Sequence, residues 1–138
     1  GYTYNWPVDL GPTPWHNGKG DQVRVLEYVP GGLVAAAPGG GMWFHQHFGI
    51  GSGPLRLMAW FGPFGRGTGR EPGRPGEDVL DKNGMNLEEG GSSIPYWDED
   101  PYVRTDYVAA LRREGVELRM DESFYRRPPA GAERAPTR

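Results

Sequence analysis

The sequence predicts a mainly β protein, a small antiparallel sandwich or barrel followed by one helix, on three observations. Short runs of alternating or β-branched residues succeed one another over residues 1–61, each closed by a Gly or Pro turn. Helical periodicity is missing from that half. One segment after residue 98 carries both a helix-start signal and an apolar repeat of helical period.

Tyr2, Tyr4 and Trp6 alternate as one face of a short strand, and Pro7, Gly11, Pro12 and Pro14 then break regular structure. His16 follows in Trp15-His16-Asn17-Gly18, a turn sequence that leaves it either exposed or lining a site. Residues 23–29 read as a strand by their Val and Tyr content, ended by Pro30-Gly31-Gly32. Residues 33–37 read as a second short strand, 42–48 as a third and 55–61 as a fourth.

Residues 62–93 dissolve into Gly-, Pro- and Arg-rich text without the strand, spacing and helix of a phosphate loop, so a flexible loop is expected. Asp98-Glu99-Asp100-Pro101 opens a helix: an aspartate caps it, proline takes the first turn, and acidic charge meets the positive end of the dipole. Val103, Tyr107 and Leu111 then recur at intervals of four, and Gly115 stops the helix. The stripe is narrow, suited to packing on the barrel or on a partner subunit. Residues 116–120 are expected to return as an edge strand, making 94–125 a C-terminal unit on a β-core of 1–61. The tail, 126–138, is expected to be disordered.

The chain has 138 residues, enough for one core. Glycine and proline, 23 and 14 residues, exceed a quarter of it, yet 5 Trp, 7 Tyr and 5 Phe supply more aromatic surface than a disordered chain carries. The net charge of −3 is of mixed sign, and no basic stripe marks a nucleic-acid groove or a membrane face. Cysteine is absent, so any metal must take His, carboxylate or water. No apolar run approaches the roughly 20 residues of a membrane span. The expected setting is cytoplasmic, with no nucleic-acid or membrane partner.

Two of the three histidines lie in Met42-Trp43-Phe44-His45-Gln46-His47-Phe48. On a strand, Trp43, His45 and His47 face one way and Met42, Phe44, Gln46 and Phe48 the other. Two imidazoles on one wall can serve one transition metal, or can be core histidines with satisfied nitrogens. The acidic run at 98–100 is explained by capping without a metal.

The stretch from Gly32 through Pro38 and Gly40 to Trp43-Phe44-His45-Gln46-His47-Phe48 resembles the second conserved motif of the cupin superfamily. That motif reads Gly, five residues, Pro, one residue, Gly, two residues, His, three residues, Asn. Here four residues separate Gly40 from His45, and Gly49 stands in the place of the Asn. The His-Gln-His-Phe version is similar to that of bacterial cupins related to ring-cleaving dioxygenases, with the likeness best over residues 20–61.

The resemblance implies a jelly-roll barrel holding a divalent transition metal, Fe(II) first and Mn or Ni next, on three histidines and a glutamate. His45 maps onto the motif's ligand, with His47 beside it as a further metal-site or pocket residue. The first motif, His-x-His with its Glu, does not precede residue 32. Gly1-Tyr2-Thr3 then corresponds to its end, and the chain to the C-terminal part of a longer cupin. The implied function is dioxygenase-like chemistry on a small aromatic or carboxylated substrate in a homodimer; the alternative is a non-catalytic ligand-binding or dimerisation module. Trp43 and Trp60 are the expected pocket walls, with His16 as a further lining residue. Arg56 either pairs with a substrate carboxylate or faces solvent. Within this chain only His16, His45, His47 and a carboxylate such as Glu27 could serve as ligands.

Overall fold

The computed structural model describes residues 1–38, 43–59 and 85–129. Among them three strands form one antiparallel sheet: β1 (Tyr2–Pro7) in the centre, β2 (Arg24–Glu27) on one side and β3 (Trp43–Phe48) on the other. Tyr2 lies opposite Glu27 and Phe48, and Asn5 opposite Arg24 and His45. This register sets the chemistry of the two faces. Tyr2, Tyr4, Trp6, Phe44 and Phe48 share one, while Thr3, Asn5, Trp43, His45 and His47 share the other.

The aromatic face is the core. Tyr2 stacks on Phe48 with ring centroids 4.9 Å apart, and Phe48 in turn meets Tyr107 at 5.1 Å. Such pairs add about 1 kcal/mol each to the burial of the rings themselves. The helix α1 (Pro101–Arg113) covers this face through Val103, Ala110 and Tyr107. Its stripe also holds a charge. Tyr2 donates its hydroxyl to Asp106 Oδ2 at 3.0 Å and Tyr4 does so at 2.5 Å, so the buried phenols are satisfied where the helix crosses the strand.

α1 starts and stops as its sequence dictates. Asp100, 2 % exposed, caps it by accepting from Tyr102 N at 3.0 Å, with Pro101 in the first turn. Beyond the last turn Gly115 sits at φ 67°, a left-handed conformation that a side chain would strain. The residue 11–22 loop is pinned to the same helix end, where Trp15 stacks on Tyr102 at 4.7 Å. A β-carbon on Gly20 would lie 2.1 Å from the Trp15 ring, so glycine is what lets the loop close over the indole.

Three expected strands are absent. Residues 33–37 run irregularly because their carbonyls are taken by a side chain: Asn5 Nδ2 donates to Ala35 O at 2.9 Å and Ala36 O at 3.3 Å. Residues 55–59 are exposed and unpaired as a strand, and the rest of that run, 60–61, lies outside the described residues. Residues 116–120 are irregular, leading into a 3-10 turn at Glu122–Tyr125. Among the described residues the sheet is therefore open, with β2 and β3 each paired on one side only. Residues 62–84 and 130–138 lie outside the description, while 85–93 form a 3-10 turn at Leu87–Glu89 held by a bridge between Asn86 and Ser93. No helix among the described residues is long and apolar enough to cross a membrane.

Candidate functional site

The polar face of the sheet gathers the residues with chemistry. Alternation along β3 points Phe44 and Phe48 into the core and leaves His45 and His47 side by side on the opposite face, their ring centroids 5.3 Å apart. This is the face division expected from the sequence. The histidines do not line the packed core, and both are exposed.

β1 supplies the floor beneath them. Thr3 is the cross-strand partner of His47 and Asn5 that of His45, and both are fully buried at 0 % exposure. Thr3 Oγ1 lies 2.8 Å from His47 Nδ1 and 2.6 Å from the Tyr28 hydroxyl, which is itself 2.7 Å from His47 Nδ1. These three side chains close a triangle of hydrogen-bonding contacts. The His45 ring packs against His47 and meets no hydrogen-bond partner among the described residues. Asn5, its cross-strand neighbour, has a buried Oδ1 without a hydrogen-bond partner among the described residues. Desolvation against the sheet holds both imidazoles below the ordinary 6.5, and at His45 the neighbouring His47 adds to the effect. Both rings are thus neutral at pH 7, the form that donates a lone pair to a metal.

Two neutral imidazoles and an unpaired amide oxygen suit a first-row divalent ion as part of a ligand set. They do not complete one: among the described residues no group of three or more His, Cys, Asp or Glu could hold a metal. Glu27 pairs with Tyr2, which puts it on the other face of the sheet from the histidines.

The remaining expected residues scatter. Trp43 is on the histidine face, with the Arg24 guanidinium carbon 5.0 Å from its ring centroid. Arg56 is exposed and without a hydrogen-bond or ion-pair partner among the described residues. His16 is exposed on the helix side of the sheet, where its backbone N–H donates to Asp100 Oδ2 at 2.9 Å. Its role there is a main-chain one. Trp60 lies outside the described residues.

The acidic run at 98–100 divides into three tasks. Asp100 caps α1, Asp98 pairs with Arg127 at 2.6 Å, and Glu99 turns inward to a hydrogen bond with Gln46. Burial raises the Glu99 carboxyl above its ordinary 4.5, with the Gln46 bond and the Arg104 charge opposing it. Glu99 lies in a cavity of about 300 Å³ between β3, α1 and residues 118–125, lined also by Gln46, Tyr96, Arg104, Tyr107 and Tyr125.

Thr3, Asn5, Tyr28 and Arg24 were not legible as site residues. The alternation of Tyr2, Tyr4 and Trp6 already implied that Thr3 and Asn5 share the reverse face. Which strand faced them was not implied, because pairing register is set by tertiary contacts. No family model, curated protein or solved structure matches the chain.

Proposed function

We propose that this chain carries part of a metal-dependent site of the cupin type, oxygenase-like and acting on a small aromatic or carboxylated molecule. The supporting observation is the pair of neutral imidazoles, His45 and His47, set side by side on a polar sheet face. In this reading the open sheet is one portion of a jelly-roll barrel, and ligands from elsewhere complete the coordination. The metal, Fe(II) first and Mn or Ni next, would supply open positions at which dioxygen and a chelating substrate meet.

The chain's own residues bind and orient. His45 and His47 hold the ion. Arg24, stacked over Trp43, offers a guanidinium to a substrate carboxylate at the rim and takes the place first given to Arg56. The Trp43 ring gives an aromatic substrate a flat wall.

Metal analysis of the purified protein and thermal unfolding with Fe(II), Mn(II) or Ni(II) test this reading. An ion present at 100 times its dissociation constant stabilises by about 2.7 kcal/mol, and His45→Ala removes that gain. Protein that carries no metal and gains nothing from any of the three overturns it. The Thr3, Tyr28 and His47 triangle would then favour the second reading, a small-ligand-binding module without metal.

A further inference from the structure

The metal reading leaves unused the cavity of about 300 Å³ between β3, α1 and residues 118–125. That volume lies at the small end of the range for small-molecule sites, enough for one compact ligand. Tyr96, Tyr107 and Tyr125 give it aromatic walls, and Val103, Leu118 and Met120 apolar ones. Of the two histidines on β3, His47 borders it and His45 does not.

Three charged side chains reach this cavity: Glu99, Arg104 and Arg119. Arg104 is already engaged, its guanidinium paired with Glu122 and its Cζ 3.8 Å from the Tyr125 ring centroid. Its charge acts on Glu99 only at longer range. Glu99 has its hydrogen bond with Gln46 but no ion pair among the described residues, and burial raises its carboxyl above the ordinary 4.5. A partly desolvated carboxylate costs stability unless a positive group meets it. Arg119, on the outer wall, has neither a hydrogen bond nor an ion pair among the described residues. A carboxylate and a guanidinium thus border one cavity without neutralising each other.

We propose that this cavity binds an amino acid with an apolar side chain: its ammonium meets Glu99, its carboxylate meets Arg119, and its side chain lies against the tyrosine rings. A plain cation would satisfy Glu99 but be opposed by Arg119, and a plain anion would meet Arg119 but be repelled by Glu99. Only a ligand with both charges answers both walls. The ammonium also gains from the electron-rich faces of the rings, and the apolar walls reward a hydrocarbon body over a polar one. This inference does not rest on a metal at the histidines.

The test uses three probes on the metal-free full chain at pH 7: L-phenylalanine, phenethylamine, which lacks the carboxylate, and 3-phenylpropanoate, which lacks the ammonium. Binding is read from the shifts of the Gln46 side-chain amide in two-dimensional spectra of ¹⁵N-labelled protein. Phenylalanine is expected to saturate and to bind more tightly than either of the others. Glu99→Gln, which keeps a hydrogen bond to Gln46, should weaken phenylalanine and phenethylamine about 10- to 100-fold and leave 3-phenylpropanoate no weaker. Arg119→Met, at an exposed position, should weaken phenylalanine and 3-phenylpropanoate about three- to fivefold and spare phenethylamine. Absence of a saturable shift at about 10 mM phenylalanine overturns the proposal. So does phenethylamine that binds as tightly as phenylalanine, or wild-type affinity for phenylalanine in either variant. Metal titration and His45→Ala address the other face of β3, so failure here and failure of the metal reading are separate results.

Discussion

Asp100 accepts the backbone N–H of His16 at 2.9 Å, across 84 positions of sequence, with the same carboxylate that caps α1 through Tyr102. One buried side chain thus ends a helix and fastens the loop that carries Trp15. The acidic run at 98–100, which resembles a metal site in one dimension, is here a structural joint.

Asp100→Ala should therefore cost more than an ordinary cap. Loss of the cap and of the buried acceptor for His16 together are expected to destabilise by about 2–3 kcal/mol. Asp100→Asn keeps one acceptor oxygen for two N–H donors, so it should lose about half of that. Urea unfolding of the two variants beside the wild type decides; equal losses would mean that the charge, not the hydrogen bonds, matters.

Burial raises both Tyr2 and Tyr4 above the ordinary 10.0, with the Asp106 carboxylate raising them further. A raised folded value means that their contribution is complete below pH 10 and is lost as pH climbs above it, since the unfolded chain then ionises first. The urea midpoint should fall between pH 9.5 and 11.5, and Tyr4→Phe should flatten the fall. At pH 7 the same variant loses its bond to Asp106, at a cost of about 1–2 kcal/mol.

Glu99 follows the same sign at the acid end of the scale. Its raised folded value makes its contribution complete below 4.5 and lost as pH rises through that folded value, so at neutrality the half-buried charge is a burden. Glu99→Gln, which can keep a hydrogen bond to Gln46, should leave stability at pH 3.5 nearly unchanged and raise it at pH 7. A variant less stable than wild type at pH 7 would show that Arg104 outweighs desolvation there.

His45 is exposed and unpartnered among the described residues, so His45→Ala should change metal-free stability by no more than about 0.5 kcal/mol. Phe48→Ala, three residues along, should cost about 3–5 kcal/mol because the ring is buried between Tyr2 and Tyr107. Thermal unfolding of both variants checks that β3 separates function from core by face.

Local chemistry was legible in the sequence where a few neighbours decide it. The α1 cap, its proline and Gly115 act within one turn, and the period of two along β3 separates Phe48 from His47 without any partner. Residues 33–37 failed that test because their fate lay with Asn5, whose amide takes two of their carbonyls. The Thr3–Tyr28–His47 triangle was hidden for a similar reason: it joins three strand ends whose adjacency exists only after pairing. Trp60 and the run around it remain outside the described residues.

β1, placed at the middle of the sheet, also dictates the order in which this chain can acquire structure. Tyr2 bonds Asp106 across 104 positions, Thr3 reaches His47 across 44 and Tyr28 across 25. Contacts so distant in sequence close large loops before they return any stabilisation, which slows folding. During synthesis β1 emerges before β2, β3 and α1, so its aromatic side chains stay without their cover until α1 has left the ribosome. Among the described strands, the most deeply buried is thus the one that waits longest for its cover.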